Sequence, residues 1–126
     1  MGRRVLRWSA LLALVALAGC ADKHEAAVKT FIGALEEVNA VLGGIRDEAS
    51  LSAARPRLRA AGETLKAAVQ RLRELETPPE REAELKTEYE PRINKEKAAL
   101  VRHLRRLRGL KGAEALGEII SGSGPL

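Results

Sequence analysis

The chain has 126 residues, of which 45% are hydrophobic, 31% charged and only 2% aromatic, with one cysteine and a formal net charge of +5. That length supports one small domain rather than two. A single cysteine excludes a disulfide within the chain, and so few aromatic rings argue against base- or sugar-stacking platforms and aromatic-lined cofactor pockets.

The N-terminal stretch carries the most specific signal. A basic head with Arg3, Arg4 and Arg7 precedes an apolar run from Leu11 to Ala18, which closes on Leu17-Ala18-Gly19-Cys20. These are the three parts of an export signal. Counted generously from Trp8 to Ala21 the apolar stretch covers 14 residues, short of the roughly 20 that span a bilayer as a helix. Without the three leader arginines, 19 basic residues face 17 acidic ones, a net +2. That balance does not describe a nucleic-acid-seeking surface.

Leu17-Ala18-Gly19-Cys20 resembles the lipobox of bacterial lipoproteins. The resemblance implies recognition of Leu17, Ala18 and Gly19 by signal peptidase II, diacylglycerol on the Cys20 thiol, and a further acyl group such as palmitate on the new amino terminus. One acyl chain holds a protein marginally and two or more hold it stably, each buried methylene contributing about 0.8 kcal/mol. Two other readings compete: a plain secretory signal that leaves a free periplasmic thiol at Cys20, and twin-arginine export through Arg3-Arg4, whose apolar positions Arg7 interrupts. Ala21 stands where an aspartate would resemble the inner-membrane retention signal. On that sorting rule the anchor goes to the outer membrane facing the periplasm where the organism has one, and to the cytoplasmic membrane otherwise.

After the leader, apolar residues recur at Val28, Phe31, Leu35, Val38, Leu42, Ile45 and Ala49, flanked by Ile32 and Val41. This three-four spacing predicts a helix from about Asp22 to Glu48 with one broad apolar face. Asp22 would cap it, Glu25 with Lys29 would form a four-apart pair, and Gly43-Gly44 would fray or bend its end.

A connection around Ala49 to Ser52 precedes a second helix that ends near Glu76, with a narrow Leu/Ala seam at Leu51, Ala54, Leu58, Ala61, Leu65, Ala68, Leu72 and Leu75. Pro56 leaves its start open: either Ser52 caps a distorted first turn, or regular helix begins at Pro56. Thr77-Pro78-Pro79-Glu80 reads as a capping box opening a third helix that runs to about Arg108. Its apolar positions are Leu85, Tyr89, Ile93, Leu100, Leu104 and Leu107, with Ala83 and Val101 beside them, and Pro91 predicts a kink near residues 87–91. Ala113 to Ile120 could form a short helix that docks through Leu116, Ile119 and Ile120, and Ser121-Gly122-Ser123-Gly124 reads as a flexible tail.

The expected fold is all-α, a three-helix up-down-up antiparallel bundle with long helices, a kinked third helix and a flexible C-terminal tail. The segments are a signal peptide at 1–19, a bundle at 20–110 and a tail at 111–126. A helical hairpin completing its core by dimerisation is the competing arrangement. Around Asp47-Glu48-Ala49-Ser50 and from Arg81 to Arg92 the mature part resembles small exported helical proteins of bacteria with no assigned activity, a resemblance that carries no functional residue across.

The third helix begins acidic and ends basic, which suits its dipole and a solvated face. In an up-down-up bundle its basic end lies far from Cys20, and Arg55, Arg57, Arg59, Arg102, Arg105, Arg106, Arg108 and Lys111 would form a distal cationic patch, partly neutralised by Asp47 and Glu48. His24 and His103 lack metal-ligand spacing, the carboxylates lack an apolar pocket, and Ser50, Ser52 and Thr64 lack a partner base. The expectation is therefore a non-enzymatic, lipid-anchored envelope module without catalytic residues, metal or cofactor, acting by contact with an envelope protein or anionic polymer. A periplasmic chaperone-like or coiled-coil adaptor that dimerises or clasps client segments is the alternative. A bound metal, or a cleft where Glu88, Glu90 and His103 converge, would instead point to a hydrolase or metalloenzyme. A covalent peptidoglycan spacer of the murein-lipoprotein kind is disfavoured because the chain ends Gly124-Pro125-Leu126 rather than in lysine.

Overall fold

The computed structural model describes residues 23–121. Leu17, Ala18, Gly19 and Cys20, the Asp22 cap and the Gly122-to-Leu126 part of the tail lie outside the described residues. Within them the chain is all-helical: α1 (Lys23–Gly43), α2 (Glu48–Glu74), α3 (Pro79–Leu107) and α4 (Glu114–Ser121). None of these helices is long and apolar enough to cross a membrane.

Helix α1 packs against both α2 and α3, while α4 lies against α2. This central position explains the breadth of its apolar face. Phe31, Leu35, Val38 and Leu42 join the main core with Leu51, Leu58, Leu65, Leu100 and Leu107. Ile32, one position round the helix, instead meets Leu85 and Tyr89 of α3. Helix α2 buries the narrow seam Leu51, Leu58, Ala61, Leu65 and Ala68. Each fully buried leucine of this kind contributes about 1.5–3 kcal/mol.

Two boundaries differ from expectation. Helix α1 stops at Gly43, and Ile45 is fully buried beyond its end. The second helix begins at Glu48 rather than at Ser52 or Pro56, with Asp47 as its cap and Pro56 inside it. Ser50 N–H donates to Asp47 Oδ1 at 2.8 Å, while Asp47 N–H donates to Ser50 Oγ at 3.0 Å. This reciprocal box satisfies the first-turn donors, and burial of Leu51 and Leu58 on either side of Pro56 holds the helix through it.

The Thr77 capping box is not formed. Pro78 occupies the cap position without a side-chain bond, and Pro79 opens α3. The Thr77 hydroxyl is hydrogen-bonded to His24 Nδ1 at 3.0 Å instead, tying the α2–α3 connection to the first turn of α1. At the other end Leu116 and Ile120 of α4 are buried, and Ile119 packs on the main core.

Candidate functional site

Two polar clusters flank α1, one near its start and one beyond its end. Near its start, the Glu25 carboxylate accepts a hydrogen bond from the Tyr89 hydroxyl at 2.5 Å, with Arg81 Nη2 at 3.4 Å and Lys29 Nζ at 3.8 Å. The tyrosine bond, followed by the neighbouring Lys29 and Arg81 charges, holds Glu25 below its ordinary value against the opposing effect of burial. Tyr89 is pushed up to about 12 by the same bond, then by burial and the Glu25 charge. Sequence reading placed Tyr89 in the core but gave its hydroxyl no partner. Glu25 supplies that partner from 64 residues away.

At the far end of α1, Arg106 donates to the carbonyls of Ile45 at 2.7 Å and Leu42 at 3.0 Å. The Leu42 carbonyl also accepts from Ile45 N–H at 3.1 Å and Ile45 lies beyond the end of α1, so the cation adds a further donor where the helix stops and complements its dipole. His103 sits beside it, with Nδ1 3.4 Å from Arg106 Nη2. Burial first, and then the Arg106 and Arg102 charges, lowers its affinity for a proton.

The eight residues of the anticipated cationic patch therefore differ in use. Arg106 is committed to main-chain carbonyls. Arg55 is half-buried, and its guanidinium lies so close to Gly112 that a β-carbon there would sit 2.5 Å from Nη2. Arg57, Arg59, Arg102, Arg105, Arg108 and Lys111 are exposed. Helix α4 adds acids among them: Glu114 shares a surface depression with Arg108, and Glu118 shares one with Arg59 and Lys66. The sequence suggested Asp47 and Glu48 as the neutralising residues, but Asp47 is spent on the α2 cap.

A second feature lies at the α1 start. Leu72 of α2, Leu75 just beyond its end, Leu85 and Ile93 of α3, and His24 and Val28 of α1 line an open cavity of about 550 Å³. Its walls are aliphatic and its rim is polar, a combination that suits an occupant with an apolar body. Glu82, Lys86 and Thr77 supply that rim. Among the described residues no group of three or more histidine, cysteine or acidic side chains has metal-binding geometry. No known protein family, no curated protein and no solved structure matches this chain.

Proposed function

We propose that the protein is a lipid-anchored, non-enzymatic module of the bacterial cell envelope that works by surface contact from a tethered helical bundle. The observation that carries this reading is Leu17-Ala18-Gly19-Cys20 placed behind Arg3, Arg4 and Arg7 and the apolar run. The beginning of α1 at Lys23, three residues beyond Cys20, supports a folded body held close to its anchor.

The bundle is read as up-down-up, with Pro91 bending its third helix. Supporting this, partners of α1 advance along α3 in step with it. Glu25 meets Tyr89, Asn39 meets Glu96, and the Leu42 and Ile45 carbonyls meet Arg106. Pro91 has no N–H for the Thr87 carbonyl, whose own hydroxyl donates to the carbonyl of Ala83 at 2.9 Å. In this arrangement the exposed arginines around α4 point away from the membrane and are offered to an envelope protein or anionic polymer.

Mass spectrometry of the processed chain tests the anchor. The expected product begins at Cys20 and carries diacylglycerol with or without an N-acyl group, and Cys20→Ser loses both processing and membrane retention. An unmodified N-terminus, or a Cys20→Ser product that is still processed and retained, removes the reading. Gel filtration with cross-linking of the released protein separates a closed monomer from the dimeric adaptor.

A further inference from the structure

We propose that the cavity at the start of α1 is a docking groove for one of the acyl chains carried by Cys20 itself, so that the protein holds part of its own anchor outside the bilayer. This rests on lipidation of Cys20, and the test below separates the two claims.

Three observations favour that occupant. The first is reach. His24 lines the groove and stands four residues after Cys20, so the modified sulfur lies within about 14 Å of it even if the intervening chain is fully extended. An acyl chain fixed that near has an effective concentration on the order of millimolar without any bulk lipid being bound.

The second is chemistry. Val28, Leu72, Leu75, Leu85 and Ile93 provide aliphatic surface, while of the four polar residues lining the groove His24 and Thr77 are hydrogen-bonded to each other and Glu82 and Lys86 are exposed to water. A hydrocarbon chain would enter without leaving any of the four unpartnered. The groove, about 550 Å³, is open to solvent, so a docked chain lies along it with one side exposed.

The third is what covers the rest of the seam. Toward the middle of α2, Ile119 of α4 packs on Gly62, and Leu116 and Ile120 are buried. Among the described residues, α4 does not line the groove beside Leu72, near the end of α2, or Leu75 just beyond it. Residues 122–126 offer only Pro125 and Leu126 as bulky apolar groups, and one leucine fills a small part of the space.

The consequence is a graded anchor. With one chain docked, a diacylated protein keeps a single chain in the membrane, the marginal and reversible regime, whereas a triacylated protein keeps two and stays fixed.

The test is photo-cross-linking in living bacteria that express the full chain, with p-benzoylphenylalanine replacing Leu75 in one variant and the exposed Lys86 in a second. Val101, 46% exposed on α3, serves as a control position. After irradiation, monomeric protein is digested with trypsin. The expected product joins the lipidated peptide 20–23 to peptide 74–81 for the first variant and to peptide 82–92 for the second, with at least a tenfold lower yield from the control. A peptide 20–23 without lipid overturns the anchor reading and this proposal together. Lipidated peptide 20–23 that is not cross-linked overturns the groove alone, whether the probe captures bulk phospholipid, the 112–126 peptide, a second copy or nothing.

Discussion

The hydroxyl of Tyr89 on α3 donates to the carboxylate of Glu25 on the first turn of α1, and this one bond moves both groups away from their ordinary titration ranges in opposite directions. Tyr89 is the only tyrosine in the chain, so phenolate absorbance reports it alone. A midpoint near 12 rather than 10 is expected, and Glu25→Gln should bring it back toward 10. A tyrosine whose folded value is raised contributes stability that is complete below pH 10 and is lost as pH climbs toward 12. The lowered carboxylate behaves oppositely, contributing above its ordinary 4.5 and losing that contribution as pH falls through its folded value. Tyr89→Phe should therefore melt earlier than wild type at neutral pH and converge with it in acid. Parallel melting curves across that range would contradict the coupling.

Arg106 presents a different case, a surface cation whose work is done on main-chain acceptors. Arg106→Met should cost about 1–2 kcal/mol through loss of charge-assisted bonds to the Leu42 and Ile45 carbonyls. Arg106→Lys should recover only part, because an ammonium lacks the planar fork that spans both oxygens. The histidine beside it gives a second readout. His103 is lowered by burial and then by Arg106 and Arg102, so its contribution is present above the ordinary 6.5 and is lost as pH falls toward its folded value. Removing the Arg106 charge should raise the His103 titration midpoint in an NMR experiment. A midpoint unchanged in Arg106→Met would show that the arginine does not act on the imidazole.

Much of the packing was legible because it follows from periodicity. The Phe31, Leu35, Val38 and Leu42 spacing and the Leu58, Leu65 seam are buried as their 3.6-residue repeat requires. The start of α2 was not, since Pro56 is a strong local signal and the burial that overrides it is tertiary. Asp47 and Ser50 are three apart, the spacing of a capping box, but serine is an unusual partner at the third helical position, where glutamate or glutamine is the familiar one. Ser50→Ala should cost about 0.5–1 kcal/mol, visible as a lower denaturant midpoint with an unchanged slope. The role of Arg106 was hidden for another reason: an arginine on a basic helix end looks the same whether solvated or capping a neighbour. The Gly43-Gly44 break was the available clue, because a helix that stops there leaves carbonyls in need of donors.

Asn39 is the one buried polar residue among the described core positions. Its Nδ2 donates to Glu96 Oε2 at 2.8 Å and to the Glu96 carbonyl at 2.9 Å, while its own Oδ1 is buried without a partner. Asn39→Leu should be neutral or stabilising by about 1 kcal/mol, since it removes an unsatisfied acceptor and adds apolar contact, and half-buried Glu96 can turn to water. Asn39→Asp should cost about 2–3 kcal/mol at neutral pH by placing a second carboxylate against Glu96. That loss should shrink as pH falls into the carboxylate range. Equal stabilities of the two variants at neutral pH would mean that the Asn39–Glu96 pair has no electrostatic consequence.

Gly62 sits where α4 meets α2, and a β-carbon there would stand 3.2 Å from both Cγ2 and the carbonyl oxygen of Ile119. Alanine gains about 1 kcal/mol of helix propensity over glycine, but the neighbouring main chain must move for it to fit. Since α4 is an eight-residue helix held mainly by Leu116, Ile119 and Ile120, it yields before α2 does. Gly62→Ala should therefore leave the global unfolding midpoint nearly unchanged while amide hydrogen exchange in α4 accelerates. Gly62→Leu should undock the helix, expose Leu116 and Ile120, and cost about 3–5 kcal/mol. The exchange pattern discriminates between two pictures of this short helix. If α4 merely decorates the bundle, its release leaves the Leu58 and Leu65 amides protected. If it completes the core, those amides lose protection together with its own.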